Sequence, residues 1–212
     1  MKRSVIGLAL MMLSGCMSGF SGTRFTDTAE VKTGDVMPIF IATSRKMNGD
    51  GSVTAELSST TNYLMNLINI PKNHKTGQIE RPTFGSESRN SHFTFLSQRV
   101  LDHDRFRAEI SAQLSGRVGT ARDILVYVHG FNTGYDEARF RLAQIATDSG
   151  FTGVPVLFTW PSQNRTFAYG ADKDNATASR DDLTTVLSEL GTMPGVGRIH
   201  ILAHSMGTWL TM

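Results

Sequence analysis

A serine flanked by small residues follows an apolar run near the carboxyl end of the sequence. The run at 199–203 predicts a strand, and the residues that follow are compatible with a helix. Small flanking residues let strand and helix approach closely, so that the tight turn between them exposes the serine hydroxyl. Such a hydroxyl is suited to nucleophilic attack on an acyl carbon. The five positions of the pattern are Ala203, His204, Ser205, Met206 and Gly207, with Ala203 at the place usually taken by glycine.

A glycine-containing turn follows a second apolar run, at 124–128. Its residues are His129, Gly130, Phe131 and Asn132. Attack on an acyl group develops negative charge on the carbonyl oxygen, which backbone N–H groups can stabilise. The N–H groups of Phe131 and Met206 are the candidates for this oxyanion site. We interpret His129 as a residue that shapes the turn, with general base catalysis as the alternative.

Alternating strands and helices are predicted around these two turns. Apolar runs and helical spacing argue for crossovers that join parallel strands, with helices covering both faces of the sheet. Pro38 indicates an edge position for the first strand, and the polar segments 44–61 and 71–91 predict loops. Strands are predicted at 36–43, 63–70, 91–96, 124–128, 154–160 and 199–203, and helices at 104–114, 136–148 and 179–190.

Four further stretches sharpen the pattern. They are P-I-F-I-A-T-S-R at 38–45, I-P-K-N-H-K-T-G-Q-I-E at 70–80, I-L-V-Y-V-H-G-F-N-T at 124–133 and G-V-P-V-L-F-T-W-P-S at 153–162. With the two turns, they resemble a bacterial α/β-hydrolase family that is esterase- or lipase-like or of unknown function, with many lipoprotein members. The resemblance covers roughly 36–212. It implies an α/β-hydrolase fold, a serine hydrolase with Ser205 as nucleophile, an acyl-ester or related small-molecule substrate, and no cofactor.

The residues that would complete the catalytic triad do not follow the serine. In α/β-hydrolases the acid and then the histidine come after the nucleophile, but 206–212 contains no Asp, Glu or His. We therefore expect a chain truncated after Ser205, with its C-terminal strands missing and inactive in this form. The alternative is a non-catalytic envelope lipoprotein or binding protein that keeps the hydrolase scaffold.

The N-terminus has the pattern of a lipoprotein signal. A basic start and a short apolar stretch, too short to span a bilayer, end in Leu13-Ser14-Gly15-Cys16. We interpret 1–15 as a signal peptide, 16–35 as the lipidated Cys16 with a flexible tether, and 36–212 as the N-terminal part of the hydrolase domain. This predicts a membrane anchor at Cys16 and a periplasm-facing envelope protein, with the outer membrane slightly favoured.

Composition excludes several other classes. The 212 residues carry a formal charge of +2, and removing Lys2 and Arg3 with the signal peptide would balance the charges, so no nucleic-acid partner is indicated. His200 and His204 lie on or beside a predicted strand with no neighbouring glutamate, which is not a zinc motif. A single cysteine allows no disulfide within the chain. No metal site is predicted.

Overall fold

The computed structural model describes residues 36–212, so the predicted signal peptide, Cys16 and the tether lie outside the described residues. The strands are β1 (Val36–Met47), β2 (Val53–Asn69), β3 (Thr94–Leu101), β4 (Ile124–Val128), β5 (Val154–Thr159) and β6 (Ile199–Ala203). The helices are α1 (His103–Leu114), a short 3-10 helix (Gly119–Arg122), α2 (Tyr135–Asp148), α3 (Tyr169–Ala178), α4 (Arg180–Thr192) and α5 (Met206–Thr211).

The six strands form one mostly parallel sheet in the order β3-β2-β1-β5-β4-β6. β1, β5, β4 and β6 are parallel, whereas β2 pairs antiparallel with both β1 and β3. Every residue of β4 and β5 is buried, as expected for strands covered on both faces. The predicted α/β fold, with a mostly parallel sheet, is therefore confirmed.

Helices cover both faces of the sheet. One apolar cluster joins residues of α1, α4 and α5 to one face, and a second joins α2 to the other. β5 follows β4 on one side, and the chain then returns across β4 to add β6 on its other side. The carboxyl end of β4 is thus the point where the strand order reverses, and open α/β sheets bind ligands at such points.

Three predictions about the first half of the chain were wrong. The segment 44–61 is mostly a hairpin in which β1 and β2 extend beyond the core; its exposed strands carry few apolar residues to reveal it. The strand predicted at 91–96 lies at 94–101. Pro38 is not on an edge strand, because β1 lies between β2 and β5. Its missing N–H is tolerated since β1 pairs with β5 only from Phe40 onward.

The helical segment before β6 also differs from expectation. The helix predicted at 179–190 corresponds to α4. The helix before it, α3, was not predicted. Ser179 precedes α4, yet its side chain does not cap that helix. Its hydroxyl instead accepts a hydrogen bond from Ser44 and donates one to the Asn175 carbonyl. No helix within residues 36–212 is long and apolar enough to cross a membrane.

Candidate active site

Ser205 lies in the turn between β6 and α5, with a backbone conformation that residues other than glycine rarely adopt. Its φ is 51° and its ψ is −119°, a region costly for any residue but glycine. The turn is held by a hydrogen bond from the Gly207 N–H to the His204 carbonyl (2.8 Å) and one from the His204 N–H to the Val128 carbonyl (3.0 Å). The Ser205 side chain is exposed at the carboxyl end of the sheet.

Two glycines allow the serine turn and the end of β4 to approach each other. A Cβ at Gly207 would lie 2.6 Å from the carbonyl oxygens of both Val128 and His129. A Cβ at Gly130 would lie 3.0 Å from the Ser205 Cβ and 2.8 Å from the His204 Nδ1. Ser205 and the 130–133 turn therefore face each other across a gap with no room for a side chain. Ala203 ends β6 opposite Val128.

The two candidate oxyanion donors belong to the two segments that meet at this gap, Phe131 next to Gly130 and Met206 next to Ser205. Met206 is the first residue of α5, where helical N–H groups have no partner within the helix. Phe131 is half-buried in the turn after β4, and its ring contacts the Tyr169 ring edge-on at 5.3 Å. Within residues 36–212, neither N–H donates a hydrogen bond to a protein acceptor. Both stay candidates for the oxyanion site.

The part of the chain that carries Ser205 and the turn after β4 matches a known protein family. A family model described as an alpha/beta hydrolase of unknown function (DUF900) matches residues 102–212. The chain belongs to this family. No curated protein and no solved structure matches the chain.

The DUF900 match begins just before α1 and includes both the 129–133 segment and Ser205. It leaves β1, β2 and β3 outside. The family match therefore supports a hydrolase scaffold for the part of the chain that carries the two turns.

His129 is buried and fully engaged inside the DUF900 scaffold. Its Nε2 accepts a hydrogen bond from the Trp160 N–H (3.3 Å) and lies 2.9 Å from the Thr159 hydroxyl, while its Nδ1 lies 3.0 Å from the Gly130 carbonyl. Its ring stacks on the Trp160 indole. Burial, reinforced by the Arg45 charge, lowers the pKa of His129 to about 3. A neutral imidazole with both nitrogens occupied can shape the turn but has no free nitrogen for a proton from Ser205.

Beneath the turn lies a buried arginine that the sequence analysis missed. Arg45, on β1, is only 2% exposed, and its guanidinium donates to the Thr159 hydroxyl (3.0 Å) and to the Thr133 carbonyl (3.1 Å). It also donates to the carbonyls of Thr54 and Ser162, both at 3.3 Å. Burial lowers the pKa of Arg45 to about 10, with the Asp172 charge opposing this, so the group stays charged at neutral pH.

A second buried pair fixes the segment after β5. The Ser162 hydroxyl donates to the Asp172 carboxylate (2.6 Å) and accepts a hydrogen bond from the Thr133 N–H (3.1 Å). Asp172 also accepts from the Gln163 N–H (2.8 Å). The sequence signal for these residues was weak. Polar residues directly after the apolar stretches, in A-T-S-R at 42–45 and T-W-P-S at 159–162, were the available clue.

No general base contacts the serine within residues 36–212. His200 pairs with Asp123 (2.9 Å) at the amino end of β6, the opposite end of the sheet from Ser205. His74 pairs with Glu80 and Asp148 in another part of the fold. The His204 Nδ1 faces Gly130 but makes no hydrogen bond to Ser205. In this described part of the chain, no three His, Cys, Asp or Glu side chains form a metal-binding group.

Proposed function

We propose that this chain carries the nucleophile and the oxyanion site of a serine hydrolase that acts on carboxylic esters. Ser205 Oγ would attack the acyl carbon, while the N–H groups of Phe131 and Met206 hold the developing oxyanion. The ester C–O bond would then break, the alkoxide would leave as the alcohol with the proton given up by Ser205, and the acyl group would remain on Ser205 Oγ. Water would hydrolyse this acyl-enzyme, releasing the acid and returning a proton to the serine. The observation that carries the proposal is the strained, exposed Ser205 facing Gly130.

The hydroxyl proton of Ser205 has no acceptor among the described side chains, so the serine is not activated for attack within residues 36–212. We expect the 212-residue chain alone to hydrolyse p-nitrophenyl acetate no faster than its Ser205→Ala variant, because an unactivated serine hydroxyl is a weak nucleophile. Rapid labelling of Ser205 by a fluorophosphonate probe, abolished in Ser205→Ala, would contradict this expectation.

A cysteine at position 205 allows the oxyanion site to be tested without a general base. In the Cys16→Ser background, Ser205→Cys places the only thiol of the chain at position 205, and a thiol ionises near pH 8.5 without assistance. Acyl transfer from p-nitrophenyl acetate passes through an oxyanion, whereas alkylation by iodoacetamide does not. The ratio of the two rate constants therefore measures oxyanion stabilisation separately from thiol reactivity.

The matched control is Thr208→Cys in the same background, an exposed position one helical turn further along α5. We expect the acylation-to-alkylation ratio to be about 100-fold higher at position 205, which is the effect of one oxyanion donor. Equal ratios at the two positions would overturn the proposed site. They would favour instead a non-catalytic binding protein on a hydrolase scaffold, the second candidate, which the unpaired Ser205 also supports.

We also propose that the protein is anchored in the cell envelope through acyl chains on Cys16, facing the periplasm and on the outer membrane. The proposal rests on the basic, apolar and Leu13-Ser14-Gly15-Cys16 pattern of the sequence. Metabolic labelling with an alkyne fatty acid should tag the full chain and not its Cys16→Ser variant. The label should also fractionate with outer membranes. Equal labelling of both chains, or a full chain in the soluble fraction, would refute the anchor.

A further inference from the structure

The Arg45 side chain donates hydrogen bonds to three separate segments of the chain. Its donors reach Thr133 in the turn after β4, Ser162 after β5 and Thr54 at the start of β2. A guanidinium presents its donors in a planar fork and accepts nothing. Arg45 therefore fixes the positions of all three carbonyl groups relative to one another, at the end of the sheet where Ser205 lies.

The hydrogen bonds from Arg45 to the turn have a defined direction. Because Arg45 Nε can only donate, the Thr159 oxygen accepts from it and the Thr159 hydroxyl proton is free to point at His129 Nε2. The Trp160 N–H also points at this nitrogen, so Nε2 must be the unprotonated nitrogen of a neutral ring. The proton of His129 then lies on Nδ1 and is donated to the Gly130 carbonyl.

This direction orients the candidate oxyanion donor. The Gly130 carbonyl and the Phe131 N–H belong to one peptide group, which is planar and trans, so they point in opposite directions. Holding the Gly130 oxygen against the buried His129 therefore turns the Phe131 N–H away from the core. The far end of the same turn is held through both backbone groups of Thr133, whose N–H donates to Ser162 and whose carbonyl accepts from Arg45.

We propose that Arg45 is a positioning residue for the oxyanion site: through Thr159 and His129, and directly through Thr133, it holds the 130–133 turn so that the Phe131 N–H faces the acyl oxygen. This inference rests on the proposed function. Arg45 touches no reacting atom, and its contribution is the orientation of one peptide group. Position 45 lies outside the family match, so the role is read from contacts alone.

The test uses the same thiol chain, Cys16→Ser with Ser205→Cys, with Arg45→Met or Thr159→Val added. Thr159→Val removes only the hydroxyl that relays Arg45 to His129 and keeps the shape of the side chain. We expect each change to lower the acylation rate constant by about 10-fold or more, up to the loss of one oxyanion donor. Alkylation by iodoacetamide should stay within about twofold, because its transition state has no oxyanion to hold.

Two further variants separate positioning from general destabilisation. Ser44→Ala removes a buried hydroxyl on the neighbouring residue of β1, whose hydrogen bond goes to Ser179 and not to the turn. It should leave both rate constants unchanged. Arg45→Lys keeps the charge but loses the fork, so its acylation rate constant should fall between those of the parent chain and Arg45→Met.

The outcomes distinguish this inference from the proposed function. A high acylation-to-alkylation ratio that survives both Thr159→Val and Arg45→Met would overturn the role of Arg45 and leave the oxyanion site standing. A parent ratio no higher than that of Thr208→Cys would remove the site itself. Should Arg45→Met fail to fold, Thr159→Val decides alone, and an unchanged ratio in that variant refutes the relay.

Discussion

At the scale of single residues, the site depends on two places where a side chain has been excluded. Gly207 faces the carbonyl oxygens of Val128, the last residue of β4, and of His129, each 2.6 Å from where a Cβ would lie. These are backbone atoms, which cannot move aside to make room for a Cβ as the end of a flexible side chain can. The approach of α5 to β4 therefore requires the absence of a side chain, and not merely a small one.

This requirement predicts a stability difference between two glycines. Gly207→Ala should lower the free energy of unfolding by about 1–3 kcal/mol, the usual cost of overpacking. Gly170→Ala is the matched control, because Gly170 lies in α3 with no atom within 4 Å of a Cβ. It should be neutral or stabilising by up to about 1 kcal/mol. Urea denaturation measures both, and equal effects would contradict the close approach.

Ser205 and the 129–131 residues could be singled out from the sequence, and Arg45 could not. The reason is the range of the interactions involved. The serine turn is a local pattern of small residues after an apolar run. The partners of Arg45 are 9, 88, 114 and 117 residues away along the chain. A polar residue at the end of a strand is expected to be solvated, so the position of Arg45 directly after an apolar stretch was only a weak sign of its burial.

At the scale of elements, one partly buried histidine joins the long segment between β2 and β3 to a helix. His74 contacts Glu80 through Nδ1 (2.9 Å) and Asp148, the last residue of α2, through Nε2 (2.8 Å). Asp148 also accepts from the Gly77 N–H (2.8 Å). Two carboxylates can both be satisfied only by a ring protonated on both nitrogens.

The His74 contacts predict a pH dependence of stability. Burial alone would lower the pKa of His74, but its hydrogen bonds to Glu80 and Asp148 outweigh burial and raise it above 6.5. A raised pKa in the folded state contributes stability that is complete below about pH 6.5 and lost as pH rises through the folded value. The difference in Tm between the natural chain and His74→Gln should therefore be larger at pH 6 than at pH 9.

The comparison with His74→Gln is needed because His129 acts in the opposite direction. Its pKa is held near 3, so the unfolded chain binds a proton at this residue below about pH 6.5 and stability falls as pH drops. The unsubstituted chain and His74→Gln both contain His129, so its effect cancels in the difference between their Tm values. Glu80→Gln keeps the Asp148 contact and should reduce the pH dependence without abolishing it. A difference that is constant or grows with pH would contradict the pairing.

Most elements that the sequence predicted well are completely buried or have a regular apolar stripe. β6 is the exception, because it lies at its predicted bounds, 199–203, although its residues are half-buried or exposed. β4, β5, α1 and α2 lie within a residue or two of their predicted bounds. The β1–β2 hairpin beyond the core was missed because it is held by backbone pairing and by polar contacts such as Lys46 with Glu56. Such contacts leave no apolar period in the sequence.

At the scale of the whole molecule, one edge of the described sheet is β6, a strand with exposed apolar side chains. Within residues 36–212, β6 pairs only with β4. Its Ile201 and Leu202 side chains, which point to opposite faces of the sheet, are 49% and 41% exposed. An exposed apolar edge strand is a template for pairing with another chain. The 212-residue chain should therefore self-associate as its concentration rises.

A charge on this edge should suppress that association. We expect Ile201→Lys to lower the weight-average mass measured by light scattering at high protein concentration, because a lysine on an edge strand opposes pairing. Val118→Lys is the control, since Val118 is 81% exposed but precedes the short 3-10 helix and lies on no strand edge. An unsubstituted 212-residue chain that is monomeric at all concentrations, or equal effects of both changes, would contradict pairing through the β6 edge.

The buried Arg45 fork also has a consequence for the order in which the molecule folds. Its acceptors come from three segments, and two of these, at 133 and at 159–162, lie 88 to 117 residues away from Arg45 along the chain. Closing such loops costs entropy that only a largely assembled sheet can offset. The 130–133 turn should thus acquire its final orientation after β1, β4 and β5 have paired. Partly folded chains that still hold most of their secondary structure would then expose Ser205 without an oriented Phe131 N–H, and would have a nucleophile but no oxyanion site.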